Sequence, residues 1–460
     1  MFEEFFELNQ DDFLQNLAQL LAIQSVSEET DNAQFPFGKD VDDAFELVVN
    51  IAREHGFHAE NLKHVAEISF GDGDKKVYIA CHADVVPCSA GWIKPPYKMT
   101  IENGRIYGRG VLDNKGAVMA VLYAFISLKE HGIAPKAALK LLVGGSEETT
   151  MSDMITYVKT HGLPDEALTP DSVFPIVNTE AGMLSAKVMF QPDAAEGSIQ
   201  LKEFDSGTAC NAVPDYAKAV IHVDCVEAVY AWFRHQTYFP VKIKQDGCCF
   251  IIFAEGKPAH ASEPDKGVNA LTGLAKVLYH LFHSFQSNNR LLQMLTEYFA
   301  DDFYAEKLGV FCEGAILGKI TQNVGICHYN EGYFTIDMRI PVSGQLDKIR
   351  GKLSTIAEKY GFTLCVEKMH EYTHVPPNCD FLKKLAFAFE QETGQKAQYL
   401  GSSGLTYAKA FDGRCVAFGP VYDETGDECG GIHADDEYVR LDVLKRLSAI
   451  YAGVINRLWC

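Results

Sequence analysis

A chain whose strand–helix alternation breaks off near residue 180 and resumes near residue 381 can fold in few ways. In the first part, "DVDDAFELVVNIAREHGF" repeats apolar residues at helical spacing and stops at Gly56. "KKVYIAC" and "AALKLLVGG" read as buried strands, and "KGAVMAVLYAFISLKEHG" as an apolar helix ended by Gly132. "AEISFG" and "KKVYIAC", separated by "DGD", predict a hairpin, and "SVFPIVNTE" predicts a further strand. From about residue 181 the alternating segments "AKVMFQ", "AVIHVD" and "CCFIIFAEGKPAHA" predict an antiparallel sheet, with "GVNALTGLAKVLYHLF" and "QLDKIRGKLSTIAEKYGF" as helices. The strand–helix texture then returns in "FLKKLAFAFEQETG" and "RCVAFGP". The expected class is α/β. Residues 1–180 and 381–460 form one discontinuous domain, a mixed sheet flanked by helices. Into it is inserted a second α/β domain, residues 181–380, made of two subdomains.

Charge and cysteine usage narrow the function. The formal net charge of −21 argues against nucleic acid or an anionic membrane surface as partner, since either demands a basic face. No apolar run approaches the roughly 18 residues of a membrane span. The amino terminus "MFEEFFELNQDDFLQNL" is acidic and helix-like, so it does not read as a signal peptide. Thirteen cysteines are scattered without a C-x-x-C cluster, which fits reduced thiols in a cytoplasm better than a disulfide framework or zinc ribbon.

Imidazole and acidic residues recur at the ends of the strands expected in the first part. His82 and Asp84 follow "VYIAC", Asp113 precedes the apolar helix, Glu147 and Glu148 follow "LKLLVGGS", and Asp171 lies beside "VFPIV". The returning segment "CGGIHADDEY" adds His433. Singly, each has an ordinary use: Asp113 could cap its helix, the paired glutamates could be a solvated loop. Gathered beyond the carboxyl ends of one sheet, so many acids would repel unless a cation neutralised them. Imidazole with carboxylate suits Zn²⁺, and also Mn²⁺ or Co²⁺. Five such ligands with one bridging carboxylate would hold two ions about 3.5–4 Å apart. Consecutive Glu147 and Glu148 can divide the work of base and ligand. Residues i and i+2 of a strand face one way, so His82 could bind metal while Asp84 receives its other ring N–H.

The motifs "HADVVP", "YGRGVLDNKG", "GGSEET", "PDSVFP", "GKPAHASEPDKGVNA" and "GGIH" stand in an order similar to the two-metal aminoacylase/carboxypeptidase/desuccinylase superfamily. With its long insertion and its "NAVPDYA" segment, the chain most resembles the PepV-type dipeptidases. That resemblance implies a zinc-peptidase-like catalytic domain with an inserted lid domain. It implies His82, Asp113, Glu148, Asp171 and His433 as metal ligands, Asp113 bridging, with Glu180 a competitor for the place of Asp171. It makes Glu147 the general base and acid, and His260 of "PAHAS" a lid residue that stabilises the oxyanion. Asn211, Arg339 and the loop "GSSGLTYAKAF", with Gly404 and Thr406, would bind the substrate.

The implied activity is hydrolysis of a dipeptide by a metal-bridging water, in a cytoplasmic enzyme that works as a monomer on small peptides. The nearest alternative is an N-acyl amino-acid amidohydrolase, a deacylase or desuccinylase on the same metals. A non-catalytic peptide-binding protein is the alternative from another class. The chain departs from the family pattern at Cys81, at Asn114 of "DNKG" and in "SSGLTY".

Overall fold

The computed structural model describes residues 1–193, 197–421 and 428–460. They form two compact units, Met1–Thr179 with Thr373–Cys460, and Glu180–Tyr372.

The first unit is built on a nine-stranded mixed sheet. Its centre is Lys76–His82, buried at every position after Lys76, as expected of a strand covered on both faces. Ala138–Gly144 and Glu166–Thr169 run parallel to it on either side, and Cys415–Ala417 runs parallel to Glu166–Thr169. The carboxyl ends of these four strands therefore share one edge. In register, His82 faces Gly144, so the chain leaving each strand starts its turn beside the other.

The expected hairpin is not formed. Val65–Phe70 pairs antiparallel with Ala138–Gly144, which lies between it and Lys76–His82. The inserted strand supplies buried Leu139, Leu141, Leu142 and Val143, more apolar surface than a two-stranded ribbon could bury. "SVFPIVNTE" likewise divides, into Ser172–Val173 and Ile176–Glu180.

The crossover from Lys76–His82 to Ala138–Gly144 is the helix Lys115–Glu130, buried at every residue from Lys115 to Leu128. Ala, Leu and Met favour the helix, and the chain turns away at Gly132 with φ +70°. It packs against the final helix, Leu441–Trp459. Each buried Phe or Leu of this layer contributes about 1.5–3 kcal/mol. Lys39–Glu54 buries Val41, Ala44, Phe45, Val48, Val49 and Ala52, one stripe at helical spacing.

The second unit is an eight-stranded antiparallel sheet. Its helices include Ala270–Ser284 and Leu346–Lys359, whose apolar faces join a core with Leu184, Phe204, Ile252 and Phe334. The two expected halves share this one sheet. Their junction is narrow: Ile199–Ser206 meets Thr321–His328 only through Asp205↔His328 and Ser206↔Cys327. Among the described residues, no helix is long and apolar enough to cross a membrane.

Candidate metal centre

The shared strand edge collects the acids and imidazoles of the first unit into two overlapping groups. His82, Asp113 and Asp171 form one, and Asp113, Glu148 and His433 the other; in each, one ligand atom per residue lies within 4.8 Å of the others. Asp113 belongs to both through different oxygens. Its Oδ1 is 3.0 Å from His82 Nε2, and its Oδ2 is 3.0 Å from His433 Nε2. His433 Nε2 also lies 3.0 Å from Glu148 Oε1, and His82 Nε2 lies 3.6 Å from Asp171 Oδ1. Among the described residues, Glu180 joins neither group.

The supports are local and specific. His82 Nδ1 lies 3.0 Å from the main-chain oxygen of Asp84 and 3.4 Å from its carboxylate, so the carbonyl is the nearer acceptor for that ring nitrogen. The Asp84 carboxylate instead accepts the main-chain N–H groups of Glu147 and Glu148, at 3.3 and 3.1 Å. Asp153 holds the other half of that turn, accepting from Gly145 and Ser146 N–H, and the buried Tyr407 hydroxyl donates to the same oxygen. Gly144 has to be glycine here, because a Cβ would lie 2.0 Å from that hydroxyl and 2.4 Å from the Asp153 oxygen.

Asp113 does not cap the helix that follows it; Asn114 occupies that position. The Asn114 side chain donates to Asp171 Oδ1 at 3.0 Å and to Pro170 O, steadying the Asp171 segment. The residue that departs from the family pattern thus has a structural task.

Without a cation the cluster is electrostatically strained. Burial raises the Glu147 pKa well above the ordinary carboxylate range, and nearby Asp171, Glu148 and Asp113 push it further. Burial likewise moves Glu148 up to about 7, and raises Asp171. Burial alone would lower the two histidines. The carboxylates overcome it, Asp171 and Asp113 raising His82 well above its usual value, Asp113 and Glu148 taking His433 to about 10. Glu147 Oε1 is buried with no hydrogen-bond partner. Two imidazoles, three carboxylates and an unpartnered fourth are a donor set that fits divalent metal.

The remaining expected residues have local partners of their own. His260 is exposed, with Nδ1 2.7 Å from Ser262 Oγ, and pairs across a short ladder with Ala212, next to exposed Asn211. The guanidinium of buried Arg339 grips Asp337 through two hydrogen bonds, 2.8 and 3.1 Å, rather than standing open. Gly404 N–H donates to Ser402 Oγ, and the Thr406 hydroxyl accepts from Ala408 N–H.

Residues 78–457 match the profile of Peptidase family M20/M25/M40. YtjP of Bacillus subtilis (strain 168) is 32% identical over 458 residues, covering 97% of each chain. The Beta-Ala-Xaa dipeptidase of Lactobacillus delbrueckii subsp. lactis is 32% identical over 473 residues, 99% of this chain and 98% of that one. The crystal structure of human carnosine dipeptidase 1 shares the fold, with a TM-score of 0.61 at 14% identity over 99% of this chain and 98% of its own. A cluster that asks for divalent metal at one strand edge, and a sequence that follows these relatives almost end to end, lead to one assignment: the chain is a member of peptidase family M20/M25/M40.

Proposed function

We propose that the protein is a metal-dependent dipeptidase that holds two divalent ions, zinc in preference to manganese or cobalt, and hydrolyses the peptide bond of small peptides. The observation that carries this reading is the division of Asp113, one oxygen toward His82 and the other toward His433. His82, Asp113 and Asp171 would hold one ion; Asp113, Glu148 and His433 would hold the other. Bound there, the ions supply positive charge that polarises a scissile carbonyl and lowers the pKa of water.

Glu147 takes the proton from the attacking water at its unpartnered Oε1 and returns it to the leaving nitrogen. The burial that raises its pKa suits a group that must keep the proton between those events. Asp84 holds the turn that aims Glu147. His260 is assigned to the oxyanion, and Asn211, Arg339, Gly404 and Thr406 to the substrate's polar groups; the motif positions support these assignments. The first unit, Met1–Thr179 with Thr373–Cys460, serves as catalytic domain and Glu180–Tyr372 as lid, the second boundary falling at 372/373 and not at the expected 380/381, in a cytoplasmic monomer. The name of the Lactobacillus delbrueckii relative makes β-alanyl dipeptides the first compounds to assay.

The test compares free dipeptides with N-acylated amino acids, before and after chelation. Cleavage of dipeptides that chelation abolishes and Zn²⁺ or Mn²⁺ restores is the expected result. Turnover of the blocked amino acids alone would replace the reading with an amidohydrolase.

A further inference from the structure

The stretch His433–Glu437 touches more of the site than its one imidazole. Asp435 Oδ1 accepts from the Ser89 hydroxyl at 2.6 Å, and Asp436 Oδ1 accepts the N–H groups of Ile93 and Lys94 at 3.0 and 2.8 Å. Glu437, fully buried, accepts the N–H groups of Gly110, Leu112 and Asp113 at 3.1, 2.8 and 3.1 Å. Its other partner is Arg109, also buried, whose Nη1 donates to Oε2 at 2.8 Å. Arg109 Nη2 reaches the His433 main-chain oxygen at 3.4 Å, and the guanidinium lies 5.0 Å from the centre of the Trp92 ring.

A buried ion pair is poor value as a source of stability, because both charges leave water. Apolar side chains of similar volume would hold two loops together as firmly. What a charged fork and a carboxylate add is direction. Three N–H groups converging on one carboxylate fix the path of residues 110–113, the last of which is Asp113. The same carboxylate fixes the fork that reaches back to the His433 carbonyl. Asp113 and His433 are thereby referred to one rigid pair.

We propose that Arg109 and Glu437 are positioning residues that set Asp113 against His433, and through that spacing govern the affinity of the site for divalent metal. The inference rests on the metal-dependent reading above. Groups that orient metal ligands without touching the metal typically govern 10–100-fold of affinity.

The test titrates Zn²⁺ alone into chelator-treated wild type, Arg109→Lys and Glu437→Gln by calorimetry in a competing buffer, with circular dichroism to confirm folding. Asp442→Asn, which breaks an exposed pair with Arg440, serves as control. Expected is a loss of roughly 10–100-fold in affinity for at least one ion in the two test variants, and none in the control. With zinc raised above the weakened dissociation constant, KM for a dipeptide returns to within about threefold of wild type. Should Glu437→Gln not fold, Arg109→Lys decides alone, since it keeps the charge and loses only the planar fork. Wild-type affinity in a folded Arg109→Lys overturns the positioning role. A wild type that takes up no zinc overturns the metal-dependent reading with it.

Discussion

Asp84 and Glu148, 64 residues apart in sequence, are joined by a hydrogen bond of 3.1 Å from the Glu148 main-chain N–H to Asp84 Oδ2. The companion oxygen takes the N–H of Glu147, and the Asp84 carbonyl lies 3.0 Å from His82 Nδ1. One aspartate thus meets an imidazole of the first ligand group and aims the turn that carries both glutamates.

Asp84→Asn keeps the size of the side chain but offers one acceptor oxygen where two N–H groups arrive. Its amide N–H₂ then faces a donor. kcat is expected to fall about 10–100-fold while zinc stoichiometry at saturating metal stays at the wild-type value. Steady-state kinetics beside elemental analysis checks this.

Glu147→Gln removes the proton carrier and leaves every ligand in place. The expected loss in kcat is about 10²–10⁴-fold, with KM and metal content little changed. A variant that lost its metal instead would move Glu147 from proton carrier to ligand.

The gap in melting temperature between zinc-loaded and chelator-treated protein should widen from pH 5 to pH 8. In the metal-free fold His433 is held up to about 10 against an ordinary 6.5, a stabilisation complete below pH 6.5 and lost toward pH 10. Glu148 is raised to about 7 from 4.5, which costs that fold stability increasingly above pH 4.5 and fully above 7. Both terms weaken the metal-free state as pH rises, and metal binding must displace fewer protons. Thermal scans across that range provide the check; a constant gap would contradict it.

Tyr407→Phe deletes the buried hydroxyl that Asp153 accepts, leaving a buried carboxylate short of one donor. Stability should fall by about 1–3 kcal/mol in urea denaturation, with zinc stoichiometry unchanged.

The strand-end residues were legible because their signals are local. An apolar run that stops at His82, or at "GGSEE", can be read within a dozen positions, and parallel pairing then brings the stops together. The hairpin expectation failed for the complementary reason. "DGD" is a sound turn signal, yet which strand lies beside Val65–Phe70 was decided by the distant Ala138–Gly144. Glu437 and Arg109 were invisible as a pair, since nothing in "DDEY" or "GRG" reveals a contact across 328 residues of chain. Asp153 hid in the same way: its partner Tyr407 lies 254 residues on, in the loop "GSSGLTYAKAF", which was read for substrate contacts and not for a bond to Asp153. Asn114 did carry a signal, as a departure from the family pattern.

His433 and Glu437 are late residues that complete a cluster begun at His82. A ribosome must translate past them before the early strands acquire their last imidazole and the carboxylate that steadies Asp113. A copy released too soon carries only an unfinished cradle. On the metal-dependent reading, a chain cut before His433 would lack one ligand of the second group, so uptake of divalent metal would report that the late segment has docked.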